Sequence, residues 1–146
     1  MVRKDGRFFH IDFGHFLGHF LYFAGINRES APFVFTSDFL MVLGGDQGEH
    51  FSLFIDYCVR SYNILRKNAV VLENLLTMML HSGLEHLPSV KEGGVTKGIA
   101  SLLEMLMLNM DDGQAADFFK GEIQKSLKSV GTQINFFFHM AAAKFK

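Results

Sequence analysis

Asp12 is the residue of this 146-residue chain whose type and setting most suggest chemistry. It ends the run Phe8-Phe9-His10-Ile11 and is followed at once by Phe13-Gly14. A carboxylate at the end of a buried strand is costly unless something positive meets it there. In phosphoryl transfer an aspartate so placed chelates the Mg²⁺ that bridges the nucleotide phosphates, and the glycine behind it lets the backbone swing into a loop. The same tripeptide also reads as a plain turn, with Asp12 capping it through its side chain.

The other residues with chemical potential are weaker. His10, His15 and His19 are close in sequence, but a zinc site needs a defined set of about four ligands and the remaining candidates are scattered. His10 reads instead as a residue that orders the turn, and His15 as a donor to a phosphate. Cys58 is the single cysteine, which rules out an internal disulfide and a thiolate metal cluster. It falls among helical apolar residues and reads as a small core side chain. The glycines of "SVKEGGVTKG" do not form a phosphate loop, because the Gly-Lys order of that motif is absent.

The elements that must position Asp12 follow from periodicity and punctuation. Asp5-Gly6, between Met1-Val2-Arg3 and Phe8 to Ile11, has the form of a two-residue hairpin turn. A mixed loop is expected from Gly14 to about Pro32, then an extended Phe33-Val34-Phe35. Thr36 or Ser37 can cap a short helix over Asp38 to Leu43. Phe51, Phe54, Tyr57, Cys58, Ser61, Ile64 and Leu65 recur at three- and four-residue steps, as one helix face does. Val70 to Leu80 is nearly all apolar, which predicts a helix buried on most sides.

Gly83 ends that helix and Pro88 opens the next segment. Residues 89–98 read as a poor helix or loop, with a strong helix from Ile99 to Met110. Asp111-Asp112 suit the positive N-terminus of a following helix, whose core stripe is Ala116, Phe119, Ile123, Leu127 and Val130. A final helix after Gly131 carries Ile134, Phe136, Phe137, Phe138 and Met140. It packs either against a core or, with Lys144 and Lys146, against an anionic membrane surface. The expected fold class is therefore α+β, mainly α with a small β-hairpin.

Composition bounds the function. Hydrophobic residues make up 49% of the chain and charged residues 20%, the mix of a domain with a real core. Seventeen Phe and eight Met with no Trp predict a core rich in aromatic rings and thioethers. A net charge of −1 argues against nucleic acid as a partner. No apolar run approaches the roughly 18 residues of a spanning helix, so a cytoplasmic protein is expected.

Together, "HIDFGHFLGH" and "APFVFTSDF" resemble the phosphoinositide 3-kinase family. "LFIDYCVRSYNILRK" resembles that family's next long helix, "SGLEHLPSVK" its helix-to-helix turn, and "FFKGEIQKSLKSVGTQINFFFHMAAAKF" is most similar to class II members. The resemblance spans essentially residues 1–146. It implies the C-terminal lobe of a bilobal protein-kinase-like catalytic domain, using ATP and Mg²⁺ and meeting a phosphoinositide lipid at a membrane surface by peripheral association.

Carried over by position, Asp12 is the Mg²⁺ ligand and Ile11 an apolar contact under the adenine of ATP. Phe13 and Gly14 are the hinge of an activation loop that runs from His15 to Pro32 and faces the inositol head group. The chain departs from the family in that loop. Class I relatives carry two basic clusters there and class II relatives one, of the form Lys-Arg-x-Arg, whereas "FLYFAGINRES" leaves Arg28 as the only fixed positive charge. Head-group phosphates bind best to charge-assisted donors, so one arginine points to phosphatidylinositol or its 4-phosphate.

The resemblance also implies that the catalytic loop and the nucleotide-covering small lobe lie outside these residues. As a fragment the chain is then expected to be inactive and sticky. The alternative is a catalytically dead kinase-like domain kept for docking a partner or membrane.

Overall fold

The computed structural model describes residues 3–5, 7, 22–23, 26–27, 31–79 and 94–131. The α+β expectation is corrected by it, since the described chain is built from helices. At the expected hairpin a turn is present over Lys4-Asp5, with the Arg3 amide donating to the Arg7 carbonyl at 2.8 Å. The Asp5 carboxylate accepts from the Arg7 amide at 3.2 Å, a local side-chain bond that closes a turn without needing a ladder. Arg3, Lys4, Asp5 and Arg7 are not in strands, and Phe8 to Ile11 lie outside the described residues.

The strand pairing that is described falls where a loop was expected. Strands β1 (Tyr22–Phe23) and β2 (Ile26–Asn27) pair antiparallel, Tyr22 opposite Asn27 and Phe23 opposite Ile26. Two residues a side cannot form a layer that covers a core. The helices therefore set the class: α1 (Ser37–Val42), α2 (Glu49–Lys67), α3 (Ala69–Met79), α4 (Gly94–Met105) and α5 (Asp112–Leu127).

The chain divides into two compact units, each made of two separate stretches. One comprises Met1–Phe20 and Val70–Met105. Its core is a contact between α3 and α4, in which Leu76 and Ile99 are buried and Leu72, Leu102 and Leu103 pack around them. The apolar surface of α3 is wider than this contact, and Val70, Val71, Leu75 and Met78 are exposed. That corrects the expectation of a helix buried on most sides. Helix α4 also begins earlier than expected, at Gly94, so the Ile99–Leu103 face carries a stretch whose glycines alone disfavour helix.

The other unit comprises Leu21–Ala69 and Leu106–Lys146. Here α2 packs on α5 around buried Phe35, Phe51 and Ile123, with Leu40, Leu43, Phe54, Ile55, Cys58, Phe119 and Leu127 completing the cluster. The expected aromatic core is present: Phe35 stacks on Phe54 at 5.2 Å between ring centroids, and Tyr62 on Phe119 at 4.4 Å. The face of α2 that is buried runs through Phe51, Tyr62 and Arg66, while Tyr57, Ile64 and Leu65 are exposed. In α5 the buried positions are Ala115, Ile123 and Ser126, and Val130, expected in the stripe, is exposed beyond the helix end.

Between α1 and α2 the chain turns through Gly44 and Gly45, both near φ +85°, a region L side chains rarely occupy. At Gly48 a Cβ would lie 2.7 Å from the Leu43 carbonyl oxygen, so the turn closes only around a glycine. Thr36 holds the N-cap position of α1 in extended geometry, but its hydroxyl makes no capping bond, contrary to expectation. Asp111 caps α5 fully: its carboxylate accepts from the amides of Gly113 (2.8 Å) and Gln114 (2.9 Å), and Gln114 returns a bond to the Asp111 amide. This reciprocal box and Asp112 in the first turn fulfil the expectation for the acidic pair. The expected helix over residues 134–140 lies outside the described residues.

Candidate functional site

Ile11, Asp12, Phe13, Gly14, His15 and Arg28 all lie outside the described residues, as do His10 and His19. Among the described residues no group of three or more His, Cys, Asp or Glu is placed to hold a metal ion. What the structure does describe is the frame on which the expected loop lands, the segment from Ala31 onward.

That segment is held at three points. The Phe33 amide donates to Ser126 Oγ of α5 at 3.0 Å. The Phe33 ring meets Phe119 edge-on at 5.3 Å, a favoured aromatic geometry, and Phe119 in turn stacks on Tyr62 of α2. Two residues on, Phe35 enters the core between Phe51, Phe54 and Ile123. Ser126 is only 1% exposed and also donates to the Glu122 carbonyl of its own helix at 2.9 Å.

A second polar cluster lies at the far end of α2. Arg66 is buried, and its five N–H donors are all used. Nε donates to the Leu106 carbonyl at 2.9 Å; one terminal nitrogen donates to Asn63 Oδ1 at 2.8 Å and Asp112 Oδ1 at 2.9 Å; the other donates to the carbonyls of Met107 and Met110. Lys67 Nζ reaches the second Asp112 oxygen at 2.9 Å. The hydrogen bond from Lys67, helped by the nearby charges and by Arg66, holds the Asp112 carboxyl below its usual range. With no donor left over, this guanidinium cannot take an anion as well. It instead satisfies carbonyls where the chain leaves helical geometry, at Met107 with φ +46°.

Neighbouring titratable groups respond to burial. Desolvation raises the Tyr62 hydroxyl, against the opposing charge of Arg66, and raises the Cys58 thiol, which keeps it protonated and of low reactivity. Cys58 packs in the core of its unit, as its sequence context predicts. Arg66 and Ser126 were not singled out by sequence reasoning. The available signal was phase: Arg66 follows Phe51 and Tyr62 at helical steps, and Ser126 follows Ala115 and Ile123 in the same way.

Comparison with known proteins agrees with the resemblance carried by the motifs. Residues 1–89 match the family described as phosphatidylinositol 3- and 4-kinase. Phosphatidylinositol 3-kinase 1 of Dictyostelium discoideum is 44% identical over 142 residues, covering 97% of this chain and 9% of that protein. Phosphatidylinositol 4-phosphate 3-kinase C2 domain-containing subunit alpha of Pongo abelii is 39% identical over 144 residues, covering 97% of the chain and 8% of the relative. Phosphatidylinositol 3-kinase C2 domain-containing subunit gamma of Homo sapiens is 38% identical, again over 97% of the chain and 9% of the relative. The chain thus spans less than a tenth of the length of these relatives. With more than half of its residues in the family match and 97% of its length in the pairwise ones, the chain belongs to the phosphatidylinositol 3- and 4-kinase family.

Proposed function

We propose that these residues form the activation-loop side of a phosphatidylinositol 3-kinase, which transfers the γ-phosphate of ATP to the 3-hydroxyl of phosphatidylinositol or its 4-phosphate. The observation that carries the reading is Asp12-Phe13-Gly14 inside a segment matched over 97% of its length by proteins named phosphatidylinositol 3-kinases. In this reading Asp12 holds the Mg²⁺, Ile11 lies under the adenine, and Phe13, Gly14 and His15 begin the activation loop. Bound there, the metal neutralises phosphate charge during transfer. Arg28 reads the head group, and its isolation in the loop favours few phosphates.

The 146 residues contain no Asp-Arg-His segment, so the group that activates the attacking hydroxyl comes from other residues, as does the small lobe that covers the nucleotide. Alone, the chain is inactive in this reading. The enzyme works at the membrane surface where its lipid lies.

The test is a chimera in which these residues replace the matching segment of the Dictyostelium phosphatidylinositol 3-kinase 1. Phosphorylation of phosphatidylinositol vesicles is expected, and Asp12→Ala should lower the rate by about a hundredfold or more. Equal turnover by both forms removes Asp12 from the mechanism. An inactive but folded chimera instead favours the docking domain, for which the loop's lack of basic clusters is the supporting observation.

A further inference from the structure

We infer that the outward face of α2 is a docking surface for a second copy of this chain, joined antiparallel about a two-fold axis that passes between Cys58 and Val59. The inference stands apart from the kinase reading, which rests on residues 11–28.

The face has the spacing of a helix seam. Leu53, Tyr57, Arg60 and Ile64 follow one another at steps of four, three and four, the repeat that keeps one stripe turned toward a neighbouring helix. All four are exposed, Tyr57 and Ile64 by more than half. The buried face of α2, through Phe51, Tyr62 and Arg66, is already committed to the core of its unit. Lys67, the next position of the stripe, is turned to Asp112 at 2.9 Å and closes the seam at that end.

What selects the occupant is that the stripe is complementary to itself when reversed. About the midpoint of Cys58 and Val59, Leu53 exchanges with Ile64 and Tyr57 with Arg60. A two-fold interface requires this property, because any residue that meets another must be met by it in return. In the antiparallel pair Leu53 meets Ile64 of the second copy twice, in two apolar layers about 16 Å apart. Between them Tyr57 meets Arg60 of the second copy. Within one chain Arg60 already sits 5.9 Å from the Tyr57 ring centroid and 3.5 Å from the Asp56 carboxylate. A ring has two faces and its own arginine covers only one, so a second guanidinium can take the other with a carboxylate beside it. A parallel pair would instead set Arg60 against Arg60, like charges at close quarters. The exposed apolar residues of α1 and α3 offer no such match, since the only charge on each helix is acidic, Asp38 and Glu73.

The test is sedimentation equilibrium of the 146-residue chain, in which the parent is expected to form a dimer at micromolar concentration. Leu53→Lys and Ile64→Glu each set a charge against an apolar residue at both ends of the seam, and each should raise the dimer Kd about tenfold or more. Mixed in equal amounts, the two variants should form a heterodimer at least about threefold tighter than either homodimer, because the new charges face each other and the other end keeps its Leu–Ile layer. Met78→Lys, an equally exposed change on α3, should leave the Kd within about twofold. A monomeric parent, a parent that forms only larger assemblies, or an equal loss with Met78→Lys overturns the docking face. A mixture no tighter than its components overturns the antiparallel pairing and the proposal with it. Should a charged variant lose its helical circular dichroism, oxidation decides in its place: Leu53→Cys and Ile64→Cys chains, each also carrying Cys58→Ala, are expected to give the mixed disulfide as more than half of the crosslinked product, and a predominance of either homodisulfide overturns the proposal.

Discussion

At the scale of single residues, Asp112 shows how local charge sets pH behaviour. Its carboxyl accepts from both Lys67 and Arg66, and its affinity for a proton is lowered, chiefly by the Lys67 bond. A group whose folded pKa is depressed stabilises the fold above its unfolded pKa and loses that contribution as pH falls through the folded value. The gap in stability between the native chain and Asp112→Asn should therefore be constant above about pH 5 and shrink below it. Denaturant unfolding measured from pH 7 down to pH 2 checks this, and parallel curves would refute it. The cap formed by Asp111 and Gln114 is legible in the sequence, because all its bonds lie within four positions. The partners of Asp112 are not, since Arg66 is 46 positions away and Arg in a composition count reads as solvated surface. Asp12 and Arg28 lie outside the described residues, and their roles stay readings of the sequence; Ser126 is an ordinary serine until Phe33 is seen beside it.

At the scale of elements, Arg66 joins the end of α2 to the turn that precedes α5. One planar fork meets the carbonyls of Leu106, Met107 and Met110 together with Asn63 and Asp112. Arg66→Ala should lower stability by about 2–4 kcal/mol, because it strands several of these acceptors. Arg66→Lys should recover little of that, as an ammonium has three donors and no fork. Urea unfolding of the two variants is the measurement, and a lysine form as stable as the native chain would show that charge alone suffices. Helix existence was legible from periodicity, and the short helix after Thr36 falls within a residue of its expected place. Helix limits were less so. Helix α4 starts at Gly94 because Ile99, Leu102 and Leu103 find Leu72 and Leu76, a tertiary gain that outweighs the weak propensity of its glycines. It stops at Met105, short of the expected Met110, and the carbonyls that follow accept from Arg66. The strand pair at Tyr22–Asn27 was missed because four residues are too few to show a period of two.

At the scale of the whole molecule, the described residues of both units include large apolar side chains that stand exposed. Met41 is 72% exposed and Val42 77%, and Val34, Ile64, Val70 and Met78 are each more than half exposed. Exposed large apolar side chains promote association. The 146-residue chain should therefore self-associate at micromolar concentration and bind a dye for apolar surfaces, as sedimentation and fluorescence would record. A monodisperse, dye-silent monomer would contradict this. The interleaving of the two units has its own consequence, for the order in which a ribosome delivers them. Phe35 and Phe51 are made early, but Ile123, which closes their core, follows only after the whole second stretch of the other unit has been synthesised. At about 5–20 residues per second those rings wait on the order of ten seconds for their partner. In that interval a nascent chain offers bare phenylalanines to any chaperone within reach.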